Sequence, residues 1–186
     1  MSQLEIKTNR LLLQTLNLDH AEAFFRYHSD SVANKYQGWI PEKIEDVYDF
    51  IKNRVSPTIN LTNTWHQLVI KKNENNVLIG DIGLHFIDIE EKQVEIGFTL
   101  DKNYQGKGYA TESLMHVIDY LFNSLNKHRI IASIDPENLK SISLVERLGF
   151  RKEAHFIKSL FINGEWVDDL VFALLKDEWL EKNYVA

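Results

Sequence analysis

Residues Tyr104–Leu114 read YQGKGYATESL. Gly106 and Gly108 flank Lys107, and from Ala110 onward Leu114, Val117, Ile118, Leu121, Phe122 and Leu125 recur at helical spacing. Just upstream, QVEIGFTL (Gln93–Leu100) has the composition of a strand. A strand that passes through a glycine turn into a helix presents the first N–H groups of that helix, which lack partners within it, and the positive end of its dipole. Glycine at 106 and 108 removes side chains that would hold an anion away from those groups, and Lys107 adds positive charge. The stretch reads as a phosphate or pyrophosphate cradle, although a lone G-x-G more often makes only a turn. It lacks the G-x-x-x-x-G-K-[ST] spacing of a nucleotide-hydrolase loop and the third glycine of the dinucleotide fingerprint.

Outward from this stretch, the pattern predicts a strand at RLLLQTL (Arg10–Leu16), then a helix with Leu18, Ala21, Phe24 and Phe25 on its apolar face and Asn17 and Asp19 as capping candidates. A second helix is expected from about Glu42 to Arg54, with Ile44, Val47, Tyr48 and Ile51 facing inward and Pro57 beyond its end. WHQLVIKK, VLIGDIGLHFID and QVEIGFTL, with the polar turn NENN between the first two, predict an antiparallel meander. The helix after Ala110 leads to the strand RIIASID, a strand–helix–strand crossover. PENLKSISLVERLGF places Pro136 near a helix start and Gly149 as its left-handed stop. HFIKSLFI, NGE and WVDDLVFALL predict a hairpin with an Asn-Gly turn, and KDEWLEKN a terminal helix.

The 186 residues, 44% of them apolar and 26% charged, suit one globular domain spanning 1–186. A net charge of −6 with scattered Lys and Arg argues against a nucleic-acid surface. The absence of cysteine excludes disulfides, thiolate metal sites and a cysteine nucleophile. MSQLEIKTNRLLLQTL has no signal-peptide pattern, and no apolar run reaches the ~20 residues that span a bilayer, so no membrane association is expected and the cytoplasm is the expected compartment. His20, His28, His66, His85, His116, His128 and His155 show no metal-ligand spacing and are expected at the surface or in structural hydrogen bonds; no metal is expected.

QGKGYA matches Q-x-x-G-x-A, the pyrophosphate loop of the GNAT superfamily of acetyl-CoA-dependent N-acetyltransferases. TNRLLLQTLNLDHAEAFF resembles the opening T-x-R-L strand and helix of its RimJ/RimL branch, the ribosomal-protein N-terminal acetyltransferases. VEIGFTL resembles the central strand of that branch, NLKSISLVERLGF its N-x-x-S and L-G-F helix, and NGEWVDDLVFALLKDEW its closing hairpin. The likeness covers nearly the whole chain.

This resemblance implies an α+β fold, a twisted mixed sheet of about seven strands flanked by helices and splayed between Val94–Leu100 and Arg129–Asp135. Acetyl-CoA would enter that splay as cosubstrate. Strand backbone at Ile96, Gly97, Phe98 and Thr99 would meet its pantetheine arm, and Gln105, Gly106, Lys107, Gly108, Tyr109, Ala110 and Thr111 its pyrophosphate. By the same resemblance Glu95 is the candidate base that takes a proton from the acceptor amine, with a surface glutamate on a strand, or a structural partner of Arg10 or another cation, as the alternative. Asn138 would bond coenzyme A or order water, with an ordinary helix cap as the alternative. Ser141 would protonate the thiolate, since Val145 stands where many members carry a tyrosine acid. The oxyanion donor is expected to be a backbone N–H near Ile96 or Gly97. Lys107, Lys140 and Arg151 are either phosphate partners or solvated surface charges.

Tyr36, Trp39, Trp65, Phe86, Phe161 and Trp166 are the expected aromatic wall of the acceptor pocket, some of them as core. An α-amine, which ordinarily titrates near pH ~8 against ~10.4 for lysine, suits a single carboxylate base. The expected acceptor is therefore a protein or peptide N-terminus. A small amine such as an antibiotic or polyamine is the alternative within the class, and a non-catalytic acyl-CoA sensor the alternative outside it. A homodimer through edge strands near the C-terminal hairpin is also expected.

Overall fold

The computed structural model describes residues 4–87, 90, 92–162 and 164–184. Its strands are β1 (Glu5–Lys7), β2 (Leu11–Thr15), β3 (Thr64–Lys72), β4 (Leu78–Phe86), β5 (Gln93–Leu100), β6 (Arg129–Ile134), β7 (Arg151–Ile162) and β8 (Glu165–Leu175). They form one mixed sheet in the order β1-β2-β3-β4-β5-β6-β8-β7. Eight strands replace the expected seven or so. The short β1, which pairs with β2 through Glu5–Gln14, Ile6–Leu13 and Lys7–Leu12, carries too little periodicity to be read from sequence.

All pairings are antiparallel except β5 with β6, and that pair holds only at Gln93–Arg129, Val94–Ile130 and Glu95–Ile131. Beyond Glu95 the two strands part, which is the splay expected between Val94–Leu100 and Arg129–Asp135. The edge of β5 from Ile96 to Leu100 consequently faces no strand on the β6 side.

Helices α3 (Tyr109–Asp119) and α4 (Leu139–Leu148) pack on one face of the sheet. Leu114, Val117, Ile118, Leu121, Leu144, Val145 and Leu148 join Leu84, Phe86, Val94, Ile96, Ile130, Ala132 and Phe172 in the main core. Helices α1 (Ala21–His28) and α2 (Ile44–Asp49) cover part of the other face, where Leu16, Phe24, Tyr27, Val47, Val69 and Leu78 make a second cluster. The helical expectation over 42–54 is met by α2 and a wider π-helical turn at Phe50–Arg54 that ends at Val55, ahead of Pro57.

Buried Asp81 on β4 fastens α1 to the sheet. Its Oδ1 accepts from the Tyr27 hydroxyl at 2.6 Å and lies 2.8 Å from His28 Nε2, while Gln67 donates to Oδ2. Burial, then the Asp81 charge, pushes the Tyr27 phenol well above its usual range, so it serves as a donor.

The hairpin of β7 and β8 is as expected; Asn163 lies outside the described residues, and Gly164 has φ +87°. Gly149 ends α4 with φ +101°, the left-handed stop read from LGF. Lys176–Tyr184 form α5. Among the described residues no helix is long and apolar enough to cross a membrane.

Candidate active site

The helix that follows the glycine stretch starts as the sequence predicts. Gly106 and Gly108 have φ of +74° and +80°, a region that L side chains rarely occupy. The Glu112 N–H donates to Gly108 O, so the N–H groups of Tyr109, Ala110 and Thr111 lie ahead of the first helical hydrogen bond. A Cβ on Gly106 would meet open space, whereas one on Gly108 would come 3.3 Å from Arg10 Nη2. The turn is thus open on its outer side.

The turn is tied to the start of β2 by a contact that composition does not announce. Glu112 accepts from the Thr8 hydroxyl (2.6 Å), the Arg10 N–H (2.9 Å) and Arg10 Nε (2.6 Å), and Arg10 Nη1 donates to Lys107 O (3.0 Å). Burial alone would raise the Glu112 carboxyl, but these donors outweigh it and hold the group below its usual range. The T-x-R of TNRL is therefore the partner of the helix, and Arg10 is not a partner of Glu95.

Lys107 Nζ donates to Asn103 O (2.8 Å), Gln105 Nε2 to Leu100 O (3.0 Å) and Lys140 Nζ reaches Gln105 Oε1 (3.5 Å), so these side chains lie about the glycine turn. Arg151 does not join them, being held by Glu153 and Glu178 at the far edge of the sheet.

On β5, Ile96 is buried in the main core and Phe98 packs against it, leaving their backbone as the group available to the splay. Gly97 has open space where a side chain would begin. Glu95 lies on the opposite face, directly across from His85 on β4. His85 Nδ1 is 3.3 Å from Glu95 Oε2, with both side chains partly exposed at 26% and 32%. Trp65, opposite His85 on β3, stacks on its ring at 4.7 Å and 8°. Trp65, His85 and Glu95 thus form one cross-sheet row beside the opening of the splay.

His85 was not legible as part of this group. Its only sequence signal is the alternation of β4 and β5, which becomes informative once their register is known.

On the other arm, Asn138 caps α4, its Oδ1 accepting from the Ser141 N–H at 3.2 Å. The ordinary cap foreseen for Asn138 is present, and it sets Ser141 in the first turn of α4. Val145 is buried in the core.

The segment from α1 to α2 crosses between the arms. Gln37 Nε2 donates to Thr99 Oγ1 on β5 (3.1 Å), and the Tyr36 hydroxyl donates to Glu137 O beyond β6 (3.1 Å). Tyr36 is therefore beside the splay.

The aromatic wall otherwise needs correction. Phe86 is fully buried on the core face of β4. Trp39 needs no correction: it stacks on Phe50 at 4.7 Å, partly buried against the second cluster on the Glu95 face. Phe161 and Trp166 pair at the tip of the β7–β8 hairpin, where Trp166 shares the strand parity of core residues Leu170 and Phe172 rather than that of the Glu95 face. Aromatic identity cannot distinguish the two sheet faces, and register does. Tyr36, Trp39 and Trp65 lie on or beside the Glu95 face.

A domain family described as "Acetyltransferase (GNAT) domain" matches residues 10–151. The chain belongs to the GNAT acetyltransferases. It is an acyltransferase, and enzymes of this family use acetyl-CoA. The open glycine turn, the leading N–H groups of α3 and the unpaired edge of β5 fit that cosubstrate.

Over 179 residues, 95% of this chain and 99% of the relative, it is 33% identical to the uncharacterized N-acetyltransferase YnaD of Bacillus subtilis (strain 168). A structure of spermidine N-acetyltransferase from Vibrio cholerae in complex with CoA and spermine superposes with TM-score 0.80 at 25% identity, covering 93% of this chain and 99% of that one. The [ribosomal protein uS5]-alanine N-acetyltransferase of Escherichia coli (strain K12) is 37% identical over 84 residues, 45% of this chain and 43% of that protein.

Proposed function

We propose that this GNAT acetyltransferase acts as one catalytic domain that moves the acetyl group of acetyl-CoA directly to a primary amine. The observation that carries the reading is Glu95, paired with His85, on the open face of β5 where β5 and β6 part. Bound acetyl-CoA supplies an acetyl group activated as a thioester. Glu95 takes the proton of the acceptor ammonium, directly or through water, and His85 orients the carboxylate. Backbone N–H near Ile96 or Gly97 receives the developing oxyanion. As the C–N bond forms and the C–S bond breaks, the Ser141 hydroxyl, on the opposite arm, passes a proton to the departing sulfur and regains one from water.

Two acceptor classes have support. A protein or peptide N-terminus fits the pKa of α-amines and the likeness to the uS5-alanine enzyme, which spans less than half of either chain. A small polyamine fits the likeness to the spermidine enzyme, which extends over 93% of this chain. The cytoplasm is the compartment of this reading. A homodimer through the hairpin tip, where Phe161 and Trp166 are exposed, accompanies it, and sedimentation as a monomer would remove that part.

Thiol release from acetyl-CoA separates the acceptors, and with no cysteine the enzyme adds no background. Release with free-α-amine peptides but not with N-blocked peptides or polyamines supports the N-terminal reading. Release with spermidine alone supports the polyamine reading. No release from any amine, with acetyl-CoA bound, favours the sensor alternative.

A further inference from the structure

Glu95 is not the only carboxylate on the open face. Along β8 the alternation that sends Leu170, Phe172 and Leu174 to the core turns Asp169 and Val171 to the Glu95 side. Asp169 is only 8% exposed, and among the described residues its side-chain hydrogen bond is to the Ser133 hydroxyl, which donates to Oδ1 at 2.7 Å. A carboxylate this buried usually has a cationic partner. The nearby His155 pairs with Asp168 instead.

Phe156 stands directly opposite Asp169 across the β7–β8 ladder, on the same face, and is 51% exposed. An aromatic ring beside a carboxylate is a recognition pair for an alkylammonium: the carboxylate supplies the counter-charge and the ring face the cation–π attraction.

The ground between the two carboxylates suits a hydrocarbon chain. Glu95 is in register with Ile131, and Ile131 with Ala173; Ser133 is in register with Val171. Ile131 and Val171 are partly exposed and apolar. From the Glu95 row, Asp169 lies two strands across and four residues along, or about 16 Å between Cα atoms. The side chains shorten that span.

We propose that Asp169, Ser133 and Phe156 form a second ammonium subsite, which holds the distal cation of a di- or polyamine while its primary amine is delivered to Glu95 over Ile131 and Val171. This rests on the small-amine reading of the acceptor, and it assigns to that reading a specificity residue on β8.

The test compares spermidine with n-butylamine, which lacks a distal cation, in wild type, Asp169→Asn and Phe156→Ala, with acetyl-CoA affinity measured in each protein. In wild type, kcat/KM for spermidine should exceed that for n-butylamine tenfold or more, at about the strength of one charged hydrogen bond. Asp169→Asn should raise KM for spermidine about tenfold, leave n-butylamine and acetyl-CoA affinity unchanged, and remove most of the preference. Phe156→Ala, at an exposed position, should shift spermidine in the same direction by a smaller factor. Equal wild-type rates with the two amines, or equal losses in Asp169→Asn, overturn the subsite while leaving amine acetylation standing. Turnover of peptide α-amines without turnover of either small amine overturns the small-amine reading and the subsite together. Should Asp169→Asn fail to fold, the wild-type preference and Phe156→Ala still decide.

Discussion

At the scale of single residues, the role proposed for Glu95 depends on register. A glutamate on a strand is ordinarily a solvated charge, but here β4 sets His85 against it and β3 sets Trp65 against His85. Glu95→Gln keeps the shape and removes the proposed base, so kcat should fall about 100-fold or more while acetyl-CoA affinity is retained, read by thiol release and calorimetry. Unchanged turnover would remove Glu95 from the mechanism.

His66 makes a separate prediction. It is 1% exposed, with Nδ1 2.9 Å from Ser56 O and Nε2 3.3 Å from Thr15 Oγ1, and burial lowers its pKa against the opposing effect of the Ser56 bond. Burial, helped by Lys71, lowers His20 as well. A histidine lowered in the folded state is neutral while its unfolded counterpart takes up a proton. Stability is therefore full above the unfolded value, about 6.5, and declines as pH drops from there toward the folded value. The Tm should fall over that interval, and His66→Gln should flatten the decline; an unaltered slope would contradict the assignment to His66.

At the scale of elements, the glycine turn and α3 were the most legible part of the chain, because conformation and chemistry there depend on the same residues. Positive φ at Gly106 and Gly108 is a local demand that glycine meets without strain. Gly108→Val would add a strained backbone, costing about 1–3 kcal/mol, and press on Arg10, which holds the turn against β2 through Glu112. Its acetyl-CoA Kd should rise at least tenfold by calorimetry, and undiminished affinity would sink the cradle assignment. The Arg10–Glu112 tie itself was hidden, since it joins residues 102 apart. TNRL could be matched to a family motif without disclosing what its arginine touches. Elements lacking a strong period were likewise missed, as with the three-residue β1 and the change from α2 to a π-helical turn.

At the scale of the whole molecule, the sheet has a core face under α3 and α4 and a working face only partly covered by α1 and α2. That division decides which aromatics are available to an acceptor. Phe86 belongs to the core, so Phe86→Ala should cost about 3–5 kcal/mol in denaturant unfolding, with the acceptor KM preserved in the protein that remains folded. A raised acceptor KM at unchanged stability would return Phe86 to the pocket wall.

The sequence by itself determined the order of the elements from β2 onward, the glycine turn ahead of α3, the helix stop at Gly149 and, through its motifs, the acetyltransferase family. Each depends on local periodicity, backbone preference or a short contiguous pattern. Only the tertiary structure decided that Glu95 meets His85, that Arg10 meets Glu112, and that Asp169 shares an open face with Glu95 while Phe86 lies on the core face and Trp166 has the parity of that face. Those relations are set by strand register and by which sheet face each helix covers, and in a strand a shift of one residue exchanges the two faces.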